Sequence, residues 1–416
     1  VCLNGLKDRW LSTCHVLPSK EVGWYRRLSV IDRIGLVATA NAITALRISG
    51  SDVPHVQAVV KTLVLRRRQD GAWPFVSNLS DVGVVDATAT VLLALYEWQD
   101  AIEFRSMNLP ILLQGSLDWL EQAALEEGGW GITEGAPYRS YSTALAIQAL
   151  CGCGRRSSPV VQRASYRLMS RADPGTGGWH DAGRNLSIPT TCEVVRALSV
   201  AASDHSRYGA QIAKACDWIL KTGWQTRFWE AGPATACLEE VEVTIGTRPV
   251  RIEYSHSPRP VAINALSTAG FANNPEVITA VRLLLDDVAA NRWEKTAGGR
   301  GEPTSWMLYD VTMALAAFRN AFSRHTIAVW ADNTHVVEHL RGQGLLIRMA
   351  KEHWRKIAVA GACVLLAWML VQAGMVPGFN LAMPLFAIST IVLGVIANFV
   401  FELLKNRRRK RSSRIT

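Results

Sequence analysis

A glycine–tryptophan turn followed by a segment carrying T-x5-A-L recurs through the first three-quarters of this chain. Four copies keep the full spacing: Gly23-Trp24 with Thr39…Ala45-Leu46, Gly71-Ala72-Trp73 with Thr88…Ala94-Leu95, Gly128-Gly129-Trp130 with Thr143…Ala149-Leu150, and Gly177-Gly178-Trp179 with Thr191…Ala197-Leu198. Looser copies follow at Gly223-Trp224 with Ala265-Leu266, and at Trp293 with Val311…Ala317-Phe318. A period of roughly fifty residues marks a repeat architecture in which no unit buries its apolar face alone, so neighbours must stack. Each unit reads as a polar turn ending at Trp, then a small-residue helix such as Tyr141–Leu150, then a more charged helix such as Pro159–Ser170. Ala, Ser and Thr at every turn of the first helix let backbones approach closely, which suits an inner ring wrapped by an outer one. The Trp has bulk and one N–H donor, fit to cover a helix start. Trp73, Trp130, Trp179, Trp224 and Trp293 are therefore expected to be structural.

The repeats span residues 20–325, after an N-terminal segment, 1–19, that is expected to be truncated, since the chain starts at Val1 with no signal-peptide pattern. Beyond them the composition shifts. Ile357–Met375 and Leu381–Phe401 carry no charge, and at ~1.5 Å rise per residue each spans roughly the ~30 Å hydrocarbon core of a bilayer. Val376-Pro377-Gly378-Phe379-Asn380 joins them with turn formers. The spacing predicts a two-span hairpin over 357–404, preceded by a basic linker or helix at 326–356 and followed by a basic tail at 405–416. The alternative is a pair of buried core helices. The net charge of +10 sits on those flanks: seven basic groups in 405–416, and five in 341–356 against Glu352. The remainder is close to neutral, so a nucleic-acid partner is not expected. By the positive-inside rule both termini and the repeat domain face the cytoplasm. Asn398 is expected to hydrogen-bond across helices, within the hairpin or between copies of a homo-oligomer. The eight cysteines form no C-x-x-C pair and are too sparse for a disulfide scaffold, so a reducing compartment is the default. Cys151-Gly152-Cys153 reads as a helix-end turn.

The repeat resembles the terpenoid cyclase and protein prenyltransferase superfamily, with its prenyltransferase and squalene-cyclase repeats, over about 300 residues. Gln69-Asp70-Gly71-Ala72-Trp73 is similar to the QW motif, and Val84–Leu95 to the segment around the cyclase acid motif D-x-D-D-T-A. The resemblance implies an all-α (α/α)6 toroid with an apolar central cavity, the inner-helix starts lying at one rim.

The chemistry carried on that framework is mostly missing. In the cyclase motif the middle Asp donates a proton. Here Asp86 keeps that position, while Val84 and Ala87 replace the flanking acids and Asp81 is out of register. Asp86 reads first as a helix-start residue favoured by the dipole, and second as a catalytic proton donor. Zinc prenyl transfer would need a D-x-C pair and a His where Val311 stands. His180, His205, His256 and His325 lack ligand spacing, so no metal or cofactor is expected. Gly152-Cys153-Gly154-Arg155-Arg156 lacks the Gln of a thioester motif, and Asp286-Asp287-Val288-Ala289-Ala290 lacks the closing acid of a magnesium site.

Asp86, Tyr141, Thr190, Glu193, Tyr254 and Asp310 sit near inner-helix starts and are expected to face one rim as ligand contacts if the ring closes. The first function expected is a membrane-anchored, non-catalytic module binding a lipid, an isoprenoid or a protein partner; a variant makes it the sensor part of a two-span membrane effector. The second is a class II-type terpene cyclase acting on a polyprenyl substrate through Asp86. Lone surface residues are the bland alternative for any member of the ring.

Overall fold

In a computed structural model the described residues are 2–28, 34–74, 82–96, 98–99, 101–182, 185–202, 208–225, 237–245, 248–290, 292 and 304–332. For 2, 102, 103, 105, 224–225, 237–255 and 323–332 the description extends to the backbone only. The chain divides into two units, Val1–Thr326 and Ile327–Thr416. The expected hairpin at 357–404 with Asn398, the tail at 405–416 and residues 333–356 of the expected linker lie outside the described residues, and 326–332 continue a helix. Among the described residues no helix is long and apolar enough to cross a membrane.

The first unit alternates helices whose starts are almost wholly buried with amphipathic ones. The inner set is α2 (Leu36–Ile48), α4 (Val85–Tyr96), α6 (Ser140–Gly152), α8 (Ile188–Ala201), α10 (Pro258–Thr268) and α12 (Ser305–Asp332). The outer set is α1 (Cys2–Ser12), α3 (Val56–Leu65), α5 (Leu109–Gln122), α7 (Pro159–Ser170), α9 (Gly209–Gln225) and α11 (Pro275–Ala289). Successive inner helices α2, α4, α6, α8 and α10 pack side by side. Each outer helix buries one stripe against them, as α7 does with Val161, Ala164 and Leu168. Several starts are capped locally: Ser158, Ser187 and Asn274 accept the N–H groups of Val160, Thr190 and Glu276, each ahead of a proline in the first turn.

The repeated tryptophan performs one task four times. Trp24, Trp73, Trp130 and Trp179 are wholly buried. Their indole N–H groups donate to the carbonyls of Trp10, Leu63, Leu120 and Leu168 at 2.8, 2.7, 2.7 and 2.8 Å. Each acceptor lies in the last turn of the preceding outer helix, where carbonyls have no partner within the helix. The backbone N–H of the same four tryptophans donates to Thr39, Thr88, Thr143 and Thr191 Oγ1 at 3.1, 2.9, 2.9 and 2.9 Å. Their carbonyls accept from the residue just before each inner helix: Gly35, Val84, Arg139 and Ser187. The threonine of T-x5-A-L is thus the acceptor that fixes the turn to the inner helix, and the indole fixes it to the outer one. Gly71 holds φ +108°, and a Cβ there would stand 2.6 Å from the Gly115 carbonyl oxygen.

The fifth unit departs from the expected pattern. Gly223-Trp224 lie in the last turn of α9 instead of forming a turn after it. Residues expected to continue the helical alternation instead form an antiparallel hairpin, β3 (Cys237–Ile245) with β4 (Arg248–His256), in register Cys237↔His256 through Ile245↔Arg248. This insertion accounts for the long interval between Trp224 and Ala265-Leu266. A second, two-residue pairing joins β1 (His15–Val16) to β2 (Val22–Gly23). Trp293 lies outside the described residues. Cys153 follows the last residue of α6, consistent with a helix-end turn, and Cys14, Cys151, Cys153, Cys192 and Cys216 form no disulfide.

The last helix meets the first. Trp10 Nε1 donates to Thr312 Oγ1 at 3.2 Å, Ser305 N–H donates to the Arg26 carbonyl at 3.0 Å, and Arg319 donates to the Ile48 carbonyl at 2.8 Å. Outer helix α1 also packs against α11. The helices therefore close into two concentric rings.

Candidate functional site

The inner-helix starts place a polar cluster at the axis. Asp86 is the second residue of α4, Tyr141 of α6 and Trp306 of α12; Glu193 and Asp310 are the sixth residues of α8 and α12. Positions two and six share one helical face, here the face turned to the axis. Asp86 Oδ2 accepts from Arg139 at 2.9 Å, and both side chains are 5 % exposed. The same guanidinium donates to Ser142 Oγ at 3.1 Å and lies 4.7 Å from the Tyr141 ring centroid. The Tyr141 ring sits 5.5 Å from His256, which meets Trp306 edge-on at 6.3 Å. His256 Nδ1 is 3.6 Å from Asp310 Oδ2. On the opposite flank Glu193 accepts from Gln148 at 2.9 Å and from Arg196 at 2.8 and 2.9 Å.

The electrostatics tie these groups into one assembly. Burial pushes the Tyr141 phenol well above its ordinary value; the charges of Glu193, Asp86 and Asp310 push it further, and Arg139 opposes them. Burial also raises the Asp310 carboxyl, helped by Glu193, against the opposing influence of His256, 3.6 Å away, and of Arg196. Tyr309 is pushed up to about 12, first by burial. Burial would lower Arg196, but Glu193, Tyr309 and Tyr141 outweigh it and the guanidinium is held above its ordinary value.

Four of the six residues expected at the rim, Asp86, Tyr141, Glu193 and Asp310, therefore come together. Thr190 is wholly buried as the third residue of α8, with its N–H on Ser187 Oγ at 3.2 Å. Tyr254 lies on β4 opposite Glu239, and its side chain is outside the described residues. Arg139, His256, Trp306 and Arg196 were missed. Arg139 and His256 sit at the turn-to-helix junctions, one and two residues ahead of α6 and α10, just outside the helix starts that marked Asp86 and Tyr141. At these helix starts the inner faces carry paired charges. These faces keep a trace of accessibility, 8 % at both Gln148 and Glu193, where Thr88, Thr143 and Ala149 between the two rings have none.

Other motifs resolve structurally. Asp287 is clamped between Arg259 at 2.5 Å and Arg292 at 2.7 Å, joining α10 to α11. Asp70 accepts from the Ala72 N–H at 3.1 Å and so shapes the turn ahead of Trp73. Among the described residues no three His, Cys, Asp or Glu side chains are grouped to hold a metal ion.

No family model and no curated protein matches the sequence. Solved structures do match in shape. A beta-1,3-1,4-glucanase from Paenibacillus sp. X4 aligns over 76 % of this chain and 91 % of its own, at 10 % identity and a TM-score of 0.53. The alpha-1,6-mannanase of a Salegentibacter species aligns over 77 % and 98 %, at 10 % identity and a TM-score of 0.51. The fold is an α/α toroid. A type II terpene cyclase from Scytonema aligns over 77 % and 96 %, at 14 % identity and a TM-score of 0.46. Identities this low speak to the path of the toroid's chain and leave activity open.

Proposed function

We propose that the Val1–Thr326 toroid is a non-catalytic binding module whose ligand is met by the axial cluster at the inner-helix starts. The observation that carries this reading is the Asp86–Arg139 pair, 2.9 Å apart and closed off from solvent. A cyclase-type donor must present a neutral acid to an alkene in a dry apolar chamber. Asp86 instead faces a guanidinium, a permanent cation with no proton to give up, and its neighbours are charged and not hydrocarbon. Of the ligands suggested by the sequence, an isoprenoid chain fits this centre least.

The two uncharged runs at 357–375 and 381–401 support a tether that holds the toroid at the cytoplasmic face of a membrane. Labelling a cysteine introduced at Gly378 with an impermeant reagent from outside the cell should succeed; protection there overturns that topology.

For activity, purified protein is incubated with squalene and with geranylgeranyl diphosphate, and no cyclised product is expected. Product that disappears in Asp86→Asn would sink the non-catalytic reading. Asp310→Asn belongs in the same assay, because Asp310 is the carboxyl that burial drives toward its neutral form.

A further inference from the structure

We infer that the axial cluster binds an uncharged, polyhydroxylated ligand, a saccharide or cyclic polyol, recognised by paired polar side chains and the aromatic faces of Tyr141 and Trp306. The inference rests on the reading of the toroid as a binding module and names what it binds.

The charge pattern excludes the alternatives. Asp86 is paired with Arg139 and Glu193 with Arg196, while His256 lies 3.6 Å from Asp310. A diphosphate would bring its charge against the Asp86 and Glu193 carboxylates and compete with them for Arg139 and Arg196. Drawing either guanidinium away would leave a buried carboxylate unpaired, which is strongly unfavourable. A hydrocarbon would strip residual water from these groups and return no hydrogen bond, leaving each group unsatisfied. A hydroxyl is both donor and acceptor. It can accept from a guanidinium or amide while donating to a carboxylate, so a polyol adds bonds without breaking the ion pairs.

A further side chain asks for such a partner. Asn41 is the sixth residue of α2, the position held by Glu193 on α8 and Asp310 on α12. It is 1 % exposed, and among the described residues its Nδ2 has no hydrogen-bond acceptor. Buried polar atoms are nearly always satisfied, and exceptions mark strain or an absent ligand or water. Asn41 thus adds an unsatisfied donor to that shared face on α2, the inner helix across the ring from α8 and its Glu193.

The test uses the purified full chain with maltotriose, cellotriose, mannotriose and myo-inositol as neutral probes, and geranylgeranyl diphosphate and squalene as the contrasting ones. Saturation-transfer NMR and thermal shift report binding. At least one neutral probe should bind saturably, with affinity changing less than about twofold between low and high salt, since no net charge is neutralised. Glu193→Gln and Asn41→Leu should each weaken it about tenfold, and Lys221→Ala, on the outer helix α9, should leave it unchanged. Asn41→Leu keeps the ion pairs, so it remains informative if Glu193→Gln unfolds. Binding that survives both variants lies elsewhere and overturns the inference. Salt-sensitive binding of the diphosphate, or binding of squalene, with no neutral probe bound would overturn the ligand class and leave the module reading standing. Binding of nothing would overturn both.

Discussion

Arg139 shows how one side chain sets the character of the centre. It ends the turn before α6, its backbone N–H donates to the Trp130 carbonyl, and its guanidinium reaches across to Asp86 on α4. Removing it would leave a buried carboxylate without its cation. Arg139→Ala is expected to destabilise the toroid by about 3–5 kcal/mol, whereas Asp86→Asn together with Arg139→Met should cost much less than the two singles summed. Chemical denaturation of the four proteins forms the cycle that checks this. Tyr309 adds a pH dependence. The folded protein holds its proton up to about 12, while the unfolded chain releases it near 10. Folded Tyr309 therefore binds its proton more tightly, and its contribution is fully present below pH 10 and is lost as pH rises toward about 12. Cys153 and Cys216, pushed by burial from 9.0 to about 12, act in the same sense from a lower starting pH. Unfolding free energy followed by urea titration should fall between pH 9 and 12, and fall less steeply in Tyr309→Phe. An unchanged slope in that variant would place Tyr309 in contact with solvent.

At the scale of elements, the turn–helix unit derives its rigidity from a threonine that looks interchangeable in sequence. Thr143 Oγ1 accepts the buried Trp130 N–H, and valine has the same shape without the acceptor. Thr143→Val is therefore expected to cost about 1–3 kcal/mol, the penalty for an unsatisfied buried donor. Thr90→Val on α4, which loses only a bond back to its own helix at the Asp86 carbonyl, should cost well under that. Equal losses in urea denaturation would mean that the threonine is retained for packing alone. This unit was legible because it repeats: four copies of Trp and Thr at matching intervals reveal both partners of one contact. The β3–β4 hairpin occurs once and was not read, although Val241, Val243 and Ile245 alternate at period two, as do Val250, Ile252 and Tyr254. The expectation of a continuing helical repeat overrode that alternation. At the site, Asp86, Tyr141, Glu193 and Asp310 were legible from helix offset alone. Arg139 and Arg196 were not, because an arginine beside a buried acid looks in sequence like any surface arginine, and the partners lie 53 and 3 residues away.

For the whole first unit, the consequence of the repeats is closure. An open stack of helix pairs has two ends, folds from many points and tolerates fraying. Here α1 occupies the gap between the last unit and the first. Trp10 is wholly buried there, donates through Nε1 to Thr312 on α12, stacks edge-on with Trp24 at 6.5 Å and accepts the Trp24 indole on its carbonyl. It is the one described tryptophan of these repeats whose indole crosses from the start of the chain to its last inner helix. Trp10→Ala should therefore lower stability by about 3–5 kcal/mol, as expected for truncating a large buried aromatic. The loss should also be felt far from the substitution. Hydrogen exchange should accelerate in α12 and α11 together with α1 and α2, while thermal unfolding remains a single transition at lower temperature. Leu65→Ala on α3, whose side chain is largely exposed, should move stability by no more than about 0.5 kcal/mol. If Trp10→Ala instead frays α1 alone, with α11 and α12 keeping their protection, then the ring's stability does not depend on this closure, and the units behave as a linear stack.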